Sequence, residues 1–210
     1  MQKKQLIIFD MDGTLIDSGN VITNTINFVR NNIGLDAIPK DEMLTQLNNP
    51  DINAAKFFYG TSSFTDEQTI LFGEYYDKNC IKDIILYDGI KEMLESINDH
   101  FTLTIATNAS VEFANKMITH LNIDNYFDMV IGANCVKNPK PHPDMIIKTM
   151  ENLNIEKKKS ILIGDSHKDL RAAKAADIDN ILVNWGFTNH DKQEAISSTC
   201  ELTKRLLTFK

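Results

Sequence analysis

The sequence predicts a doubly wound α/β fold, a parallel sheet core with helices on both faces, into which an α-helical segment is inserted. Two observations predict it. Short apolar runs of buried-strand length, each followed by polar or glycine residues, alternate with stretches of helical periodicity. Between the first and second of these runs, however, the chain continues for roughly ninety residues, far beyond the ~30 of a simple strand-helix-strand unit. Something is inserted there.

The first strand is the apolar run Leu6 to Phe9, which gives out at Asp10-Met11-Asp12-Gly13-Thr14. A continuous apolar run suits a strand buried on both faces. The insert then spans residues 16–84. Within it, apolar residues recur at Val21, Ile22, Ile26, Val29 and Ile33, predicting a helix over Asn20 to Ile33. A short helix is expected over Ala54 to Tyr59, and another over Phe64 to Lys82 with Ser63 or Thr65 as its N-cap. The aromatic residues Phe57, Phe58, Tyr59, Phe72, Tyr75 and Tyr76 read as the core of this insert. Tyr87-Asp88-Gly89 marks the return, so residues 1–15 and 85–210 form the α/β core.

In the core, helices are expected over Ile90 to Ile97, Val111 to Leu121, Pro143 to Leu153 and Leu170 to Ala176. Strands are expected over Leu103 to Ala106, Met129 to Ile131, Ile161 to Ile163 and Ile181 to Val183, making five parallel strands in all. The tail from Lys192 to Leu207 reads as a final helix. No internal repeat or low-complexity tract occurs.

Composition narrows the function. The chain has 210 residues, 42% hydrophobic and 24% charged, which suits an ordinary globular protein with a packed core. Its formal net charge of -7 argues against a nucleic-acid surface, because a phosphate backbone needs a basic face. A small anionic ligand would need a local cation to draw it in. Cys80, Cys135 and Cys200 lie far apart in no metal-binding spacing and are expected to be reduced. The N-terminal apolar run is too brief for a signal peptide or a membrane span, and the expected location is the cytoplasm.

The chemistry lies at the strand ends. In open parallel sheets, ligands gather outside the carboxyl ends of the strands. Asp10 and Asp12 follow the first strand, Thr107 and Asn108 the second, and Gly164-Asp165-Ser166-His167-Lys168-Asp169 the fourth, while Lys140 can reach the same edge from its loop. Asp10, Asp12, Asp165 and Asp169 converging on one crevice would repel one another, and a divalent cation resolves the repulsion. Carboxylate oxygens with open positions for water suit Mg²⁺, and no Cys or His grouping suits zinc better. His142 and His167, near this edge, read as solvated loop residues.

The run Phe-Asp-Met-Asp-Gly-Thr-Leu-Ile-Asp-Ser, then Thr107-Asn108, then Lys140 in Lys-Pro-His-Pro-Asp, then Gly-Asp-Ser-His-Lys-Asp-Leu, resembles the four ordered motifs of the haloacid dehalogenase-like hydrolases. The likeness covers nearly the whole chain. A helical insert directly after the first motif resembles the phosphoglycolate phosphatase and β-phosphoglucomutase branch, which implies a Rossmann-like core with a helical cap. It implies further that Asp10 is a nucleophile and Asp12 an acid and base, and that Thr107, the Asn108 amide and Lys140 hold the phosphoryl group. Mg²⁺ would be bound by Asp10, the Asp12 backbone carbonyl and Asp165, with Asp169 orienting a metal-bound water or the lysine. Two departures are visible. Asp177 replaces a glycine common in relatives, and Leu47-Asn48-Asn49-Pro50-Asp51 differs from the glycine-containing specificity loop expected there.

The expectation is thus a Mg²⁺-dependent phosphatase of a small phosphorylated metabolite, without nucleic acid or membrane partners, as a monomer or homodimer. A phosphosugar mutase of the β-phosphoglucomutase kind is the alternative enzyme. A non-catalytic phospho-accepting switch or binding protein is the alternative of another class.

Overall fold

A computed structural model of the chain describes residues 5–188, 190 and 195–209. Eight strands alternate with helices among them: β1 (Gln5–Phe9), β2 (Ile16–Asp17), β3 (Ile85–Leu86), β4 (Phe101–Ala106), β5 (Met129–Ile131), β6 (Ser160–Gly164), β7 (Asp179–Val183) and β8 (Ala195–Ile196). The helices are α1 (Gly19–Asn32), α2 (Lys40–Leu47), α3 (Ala54–Tyr59), α4 (Asp66–Asn79), α5 (Ile90–Ile97), α6 (Val111–His120), α7 (Asp144–Leu153), α8 (His167–Ala176) and α9 (Thr199–Leu207). The main sheet runs β5-β4-β1-β6-β7-β8, every pair parallel.

β1 sits in the middle, and its side chains alternate as a strand requires. Leu6 and Ile8 join the cluster made by Met145, Ile146 and Met150 of α7 with Ala172, Ala173 and Ala176 of α8. Ile7 and Phe9 point the other way, into a cluster with Ile90, Met93, Leu94 and Ile97 of α5, Met117 and Ile118 of α6, and Leu202 and Leu206 of α9. Both faces are therefore covered, which is the expected doubly wound arrangement. Each fully buried side chain of this kind stabilises the fold by about 1.5–3 kcal/mol. The second cluster continues into the insert through Ile22, Ile26, Val29, Met43, Phe58, Tyr59 and Tyr76.

Four differences from the expectation have local causes. The sheet has six strands because Ala195 and Ile196 pair with Leu182 and Val183. The expected tail helix begins only at Thr199, where the Ser198 side chain accepts from the Glu201 amide, and residues 192–194 of that expectation lie outside the described residues. Inside the insert, α2 went unread, since only Met43 and Leu44 of its short span are buried and its apolar periodicity is weak.

β2 and β3, also unread, form a separate antiparallel pair with Ile16 opposite Leu86 and Asp17 opposite Ile85. This two-residue ladder clasps the points where the chain enters and leaves α1–α4. Thr65 is the N-cap of α4 in a full capping box with Gln68. Asp177 closes α8 at φ 60°, a left-handed conformation that Asp tolerates better than most residues.

Candidate active site

The strand ends meet as the sequence implies. The Asp10 amide donates to the Ile163 carbonyl at 2.8 Å, extending the β1–β6 ladder by one bond, and the Thr107 amide does the same to Ile131 at 3.0 Å. Gly13 turns the chain at φ +85°, and a Cβ there would lie 2.5 Å from Asp165 Oδ2, so both the turn and the close approach require glycine. Asp169 sits in the first turn of α8, where Ser166 and Asp169 form a reciprocal capping box. One oxygen of Asp169 accepts from the Ser166 amide at 3.1 Å, and the other faces Lys140. Capping and ion pairing thus share one carboxylate.

Lys140 is the hub. Its Nζ lies 2.6 Å from Asp10 Oδ1 and 2.6 Å from Asp169 Oδ1, with all three side chains buried. Burial alone would drive the lysine toward neutrality, but Asp10 and Asp169 outweigh it and hold its pKa above the ordinary value. Removing one partner of such a buried pair costs about 3–5 kcal/mol. The main chain of Lys140 is fixed as well, because the Asn108 side-chain amide donates to its carbonyl at 2.9 Å.

The carboxylates are poised against their charged forms. Burial raises the pKa of Asp10 well above the usual range, with Lys140 opposing and Asp169 and Asp165 adding to the rise. Burial raises Asp12 too, while Ser18, Lys140 and Thr107 pull it back. The Ser18 hydroxyl donates to Asp12 Oδ1, so Asp12 is held within its own loop. Asp165 is pushed up to about 7 by burial and then by Asp169. Its Oδ2 accepts from the Phe187 amide at 2.7 Å and from the Asn48 side chain at 3.0 Å. Its Oδ1 is buried and has no hydrogen-bond partner among the described residues.

That orphaned oxygen fits a cation. Ligand atoms of Asp10, Asp165 and Asp169 all lie within 4.8 Å of one another, an all-oxygen set that suits a hard divalent ion. The carboxylate of Asp12 is not in this cluster and faces Ser18 and Thr107 instead. Any contact of Asp12 with the ion falls to its backbone carbonyl, as the family likeness implies.

The acids open into a cavity of about 300 Å³, lined by Asp10, Asp12, Thr107, Asn108 and Lys140 on the sheet side. α1, α4 and the end of α2 contribute Ile22, Phe72, Tyr76, Leu47 and Asn48. Of the insert's aromatics, Phe58, Tyr59 and Tyr76 are core as expected, and Phe72 and Tyr76 also wall the cavity. His142 and His167 are exposed, as read from the sequence.

Ser18, Asn48 and Lys168 went unassigned in the sequence. Ser18 and Lys168 stand inside the motif runs and could have been picked out. Asn48 had no local signal, since its partner Asp165 lies 117 residues away. Lys168 Nζ donates to the Leu47 carbonyl at 2.6 Å, so the same short segment is held twice. The buried His190 was likewise unforeseen, its Nε2 lying 2.6 Å from the Asp165 carbonyl oxygen.

A parallel sheet with four acids and a lysine at its carboxyl edge, and helices inserted after the first strand, defines a class of phosphoryl-handling hydrolases. The sequence profile of the haloacid dehalogenase-like hydrolases matches residues 7–183. A phosphoglycolate phosphatase of Colwellia psychrerythraea is 30% identical over 198 residues, covering 89% of this chain and 87% of that protein. The tyrosine-protein kinase PtkA of Mycobacterium tuberculosis is 25% identical over 199 residues, covering 94% of this chain and 68% of its own. A crystal structure described as that of a predicted phosphatase from Clostridium acetobutylicum superposes with a TM-score of 0.84 at 26% identity, covering 97% of this chain and 98% of the other. The chain belongs to the haloacid dehalogenase-like hydrolases, in their phosphoglycolate phosphatase-like branch, and its enzyme class is phosphatase. Among the described residues no helix is long and apolar enough to cross a membrane.

Proposed function

We propose that the protein is a Mg²⁺-dependent phosphatase of small phosphate monoesters that works through a phosphorylated Asp10. The observation that carries this reading is the shared engagement of Asp10 and Asp169 by Lys140, 2.6 Å from each, beside the partnerless Oδ1 of Asp165. Asp10, Asp165 and the Asp12 backbone carbonyl would hold Mg²⁺, with Asp169 orienting a metal-bound water or the lysine, and the ion when bound would neutralise the charge of the acids and of the phosphoryl oxygens.

The remaining roles fall to the chain itself. A carboxylate oxygen of Asp10 attacks phosphorus, forming an acyl phosphate as the P–O bond to the alcohol breaks. Asp12, whose raised pKa favours a retained proton, gives that proton to the departing oxygen. Asp12 then takes a proton from water, the water oxygen attacks phosphorus, and the bond to Asp10 breaks, releasing phosphate and restoring the carboxylate. Lys140 stabilises negative charge on Asp10 and on the phosphoryl group throughout. Thr107 and the Asn108 amide orient phosphoryl oxygens.

We also propose that residues 16–84 act as a cap over a core of residues 1–15 and 85–210, limiting substrates to those that fit beneath it. The test is a screen of phosphate esters with Mg²⁺, with phosphate release measured and acid-quenched protein analysed for phosphorylated Asp10. Stoichiometric phosphate release with label on Asp10 supports the reading. Isomerised sugar phosphate without net phosphate, or phosphorylation confined to another residue, overturns it.

A further inference from the structure

The part of the cavity that would meet the alcohol is built of rings. Phe72 and Tyr76, one turn apart on α4, stack with centroids 5.3 Å apart and planes at 18°. Tyr76 in turn meets Phe113 of α6 edge-on, 5.0 Å away at 72°. The insert and the sheet domain thus share one continuous aromatic wall, with Ile22 of α1 beside it in the cavity lining. Tyr76 offers this wall its ring more than its hydroxyl, which donates to the Met117 sulfur at 3.7 Å in apolar surroundings.

The charges lining the cavity point the same way. Its described lining holds no arginine and no histidine. Of its lysines, Lys140 is committed to Asp10 and Asp169, and Lys168 donates to the Leu47 carbonyl. With Asp12 holding the proton it gives to the leaving oxygen and Asp10, Asp165 and Asp169 ionised, Lys140, Lys168 and one divalent cation leave the site one positive charge in excess, no more than the phosphate of a monoester takes up. A phosphate monoester adds its own negative charge. A carboxylate on the organic group would add another in a buried space with no cation left to meet it.

We propose that the alcohol part of the substrate is uncharged and carries an aromatic ring, selected by Phe72, Tyr76 and Phe113 over carboxylate-bearing esters. This rests on the phosphatase reading of the same site. At about 300 Å³ the cavity lies at the lower end of small-molecule sites, which favours one ring over a longer or branched group.

Two measurements test it. The first compares kcat/KM for benzyl phosphate and 2-phosphoglycolate in the presence of Mg²⁺, two alkyl esters that differ in ring against carboxylate. Benzyl phosphate is expected to win by at least about tenfold. Equal values, or preference for 2-phosphoglycolate, overturn the proposal. Phe72→Leu and Phe113→Leu, each checked for folding by thermal melting, should lower the ratio of kcat/KM for benzyl phosphate over 2-phosphoglycolate by roughly three- to tenfold. Equal losses on both esters would remove the rings from specificity.

The second uses calorimetric binding of the non-hydrolysable 2-phenylethylphosphonate and 3-phosphonopropionate to the Mg²⁺-loaded protein. If no ester is turned over yet the phenylethyl compound binds at least about tenfold tighter, the phosphatase reading fails and the proposed preference stands. Tighter or equal binding of the carboxylate compound, or binding of neither, overturns the preference.

Discussion

At the scale of single residues, the site is a set of groups held in states that water would not permit. Asp10 is buried among like charges, and Asp10→Asn removes one of them while keeping the shape. The variant should keep its fold but melt lower than the parent without metal, because buried Lys140 loses one of its two carboxylates, and should lose at least about a thousandfold in kcat. Paired thermal melts and phosphate-release assays check this, and near-parental turnover would remove the covalent route. Asp165 gives a pH signature. Its pKa rises from 3.8 in an exposed chain to about 7 in the fold, so between those values the folded protein keeps a proton that the unfolded one has lost. Stability without metal should fall as pH rises through that window and level off above about 7. Mg²⁺ competes with that proton, so its stabilising effect should grow over the same window. Melting curves across pH, with chelator and with Mg²⁺, measure both, and a flat metal-free profile would contradict the burial argument. Asp10, Asp12, Thr107, Lys140, Asp165 and Asp169 could be read from sequence because strand ends announce themselves and parallel topology gathers them at one edge. Ser18 stands in the same run as Asp12, and only the path of the loop brings its hydroxyl to that carboxylate.

At the scale of elements, the segment from the end of α2 toward α3 links the insert to the chemistry. Asn48 donates to Asp165 Oδ2 and also to Thr188 Oγ1 at 2.9 Å, and Lys168 holds the Leu47 carbonyl. A residue of the insert thus orients the acid whose other oxygen has no hydrogen-bond partner among the described residues. Asn48→Ala should weaken Mg²⁺ binding by roughly ten- to hundredfold, as loss of a group that orients a metal ligand does. Calorimetric titration of the metal without substrate reads this directly. Unchanged metal affinity with a lowered kcat/KM would make Asn48 a substrate contact instead. The sequence marks residues 47–51 only as the place of a specificity loop, and their contact with Asp165 was hidden for a physical reason. α2 has few buried residues, and Asn48 acquires its role only when distant parts of the chain meet. The β2–β3 clasp was equally hidden, since two-residue strands carry no periodicity. By contrast β1, β4 and β6 were legible because burial on both faces demands unbroken apolar runs.

At the scale of the whole molecule, the question is whether α1–α4 form a unit of their own stability. Their buried side chains are few for a segment of that length, and segments this small rarely stand alone on one core. The insert also shares a hydrophobic cluster with the sheet domain through Leu15, Ile16, Ile84 and Ile90, and Tyr76 packs on Phe113. The exposed ion pairs that also join the two parts, Arg171 with Asp51 and Lys116 with Asp77, contribute little beside this. Insert and core should therefore unfold together. Trp185, the sole tryptophan, is a reporter placed in the core, its indole N–H donating to the Thr14 carbonyl at 3.0 Å in the loop after β1. Helix content, dominated by elements from both parts, reports on the whole. In a urea titration the fluorescence and circular dichroism transitions should coincide in midpoint. A helical transition that precedes the tryptophan change would show the insert melting alone, and would make the shared cluster a packing contact without cooperative weight.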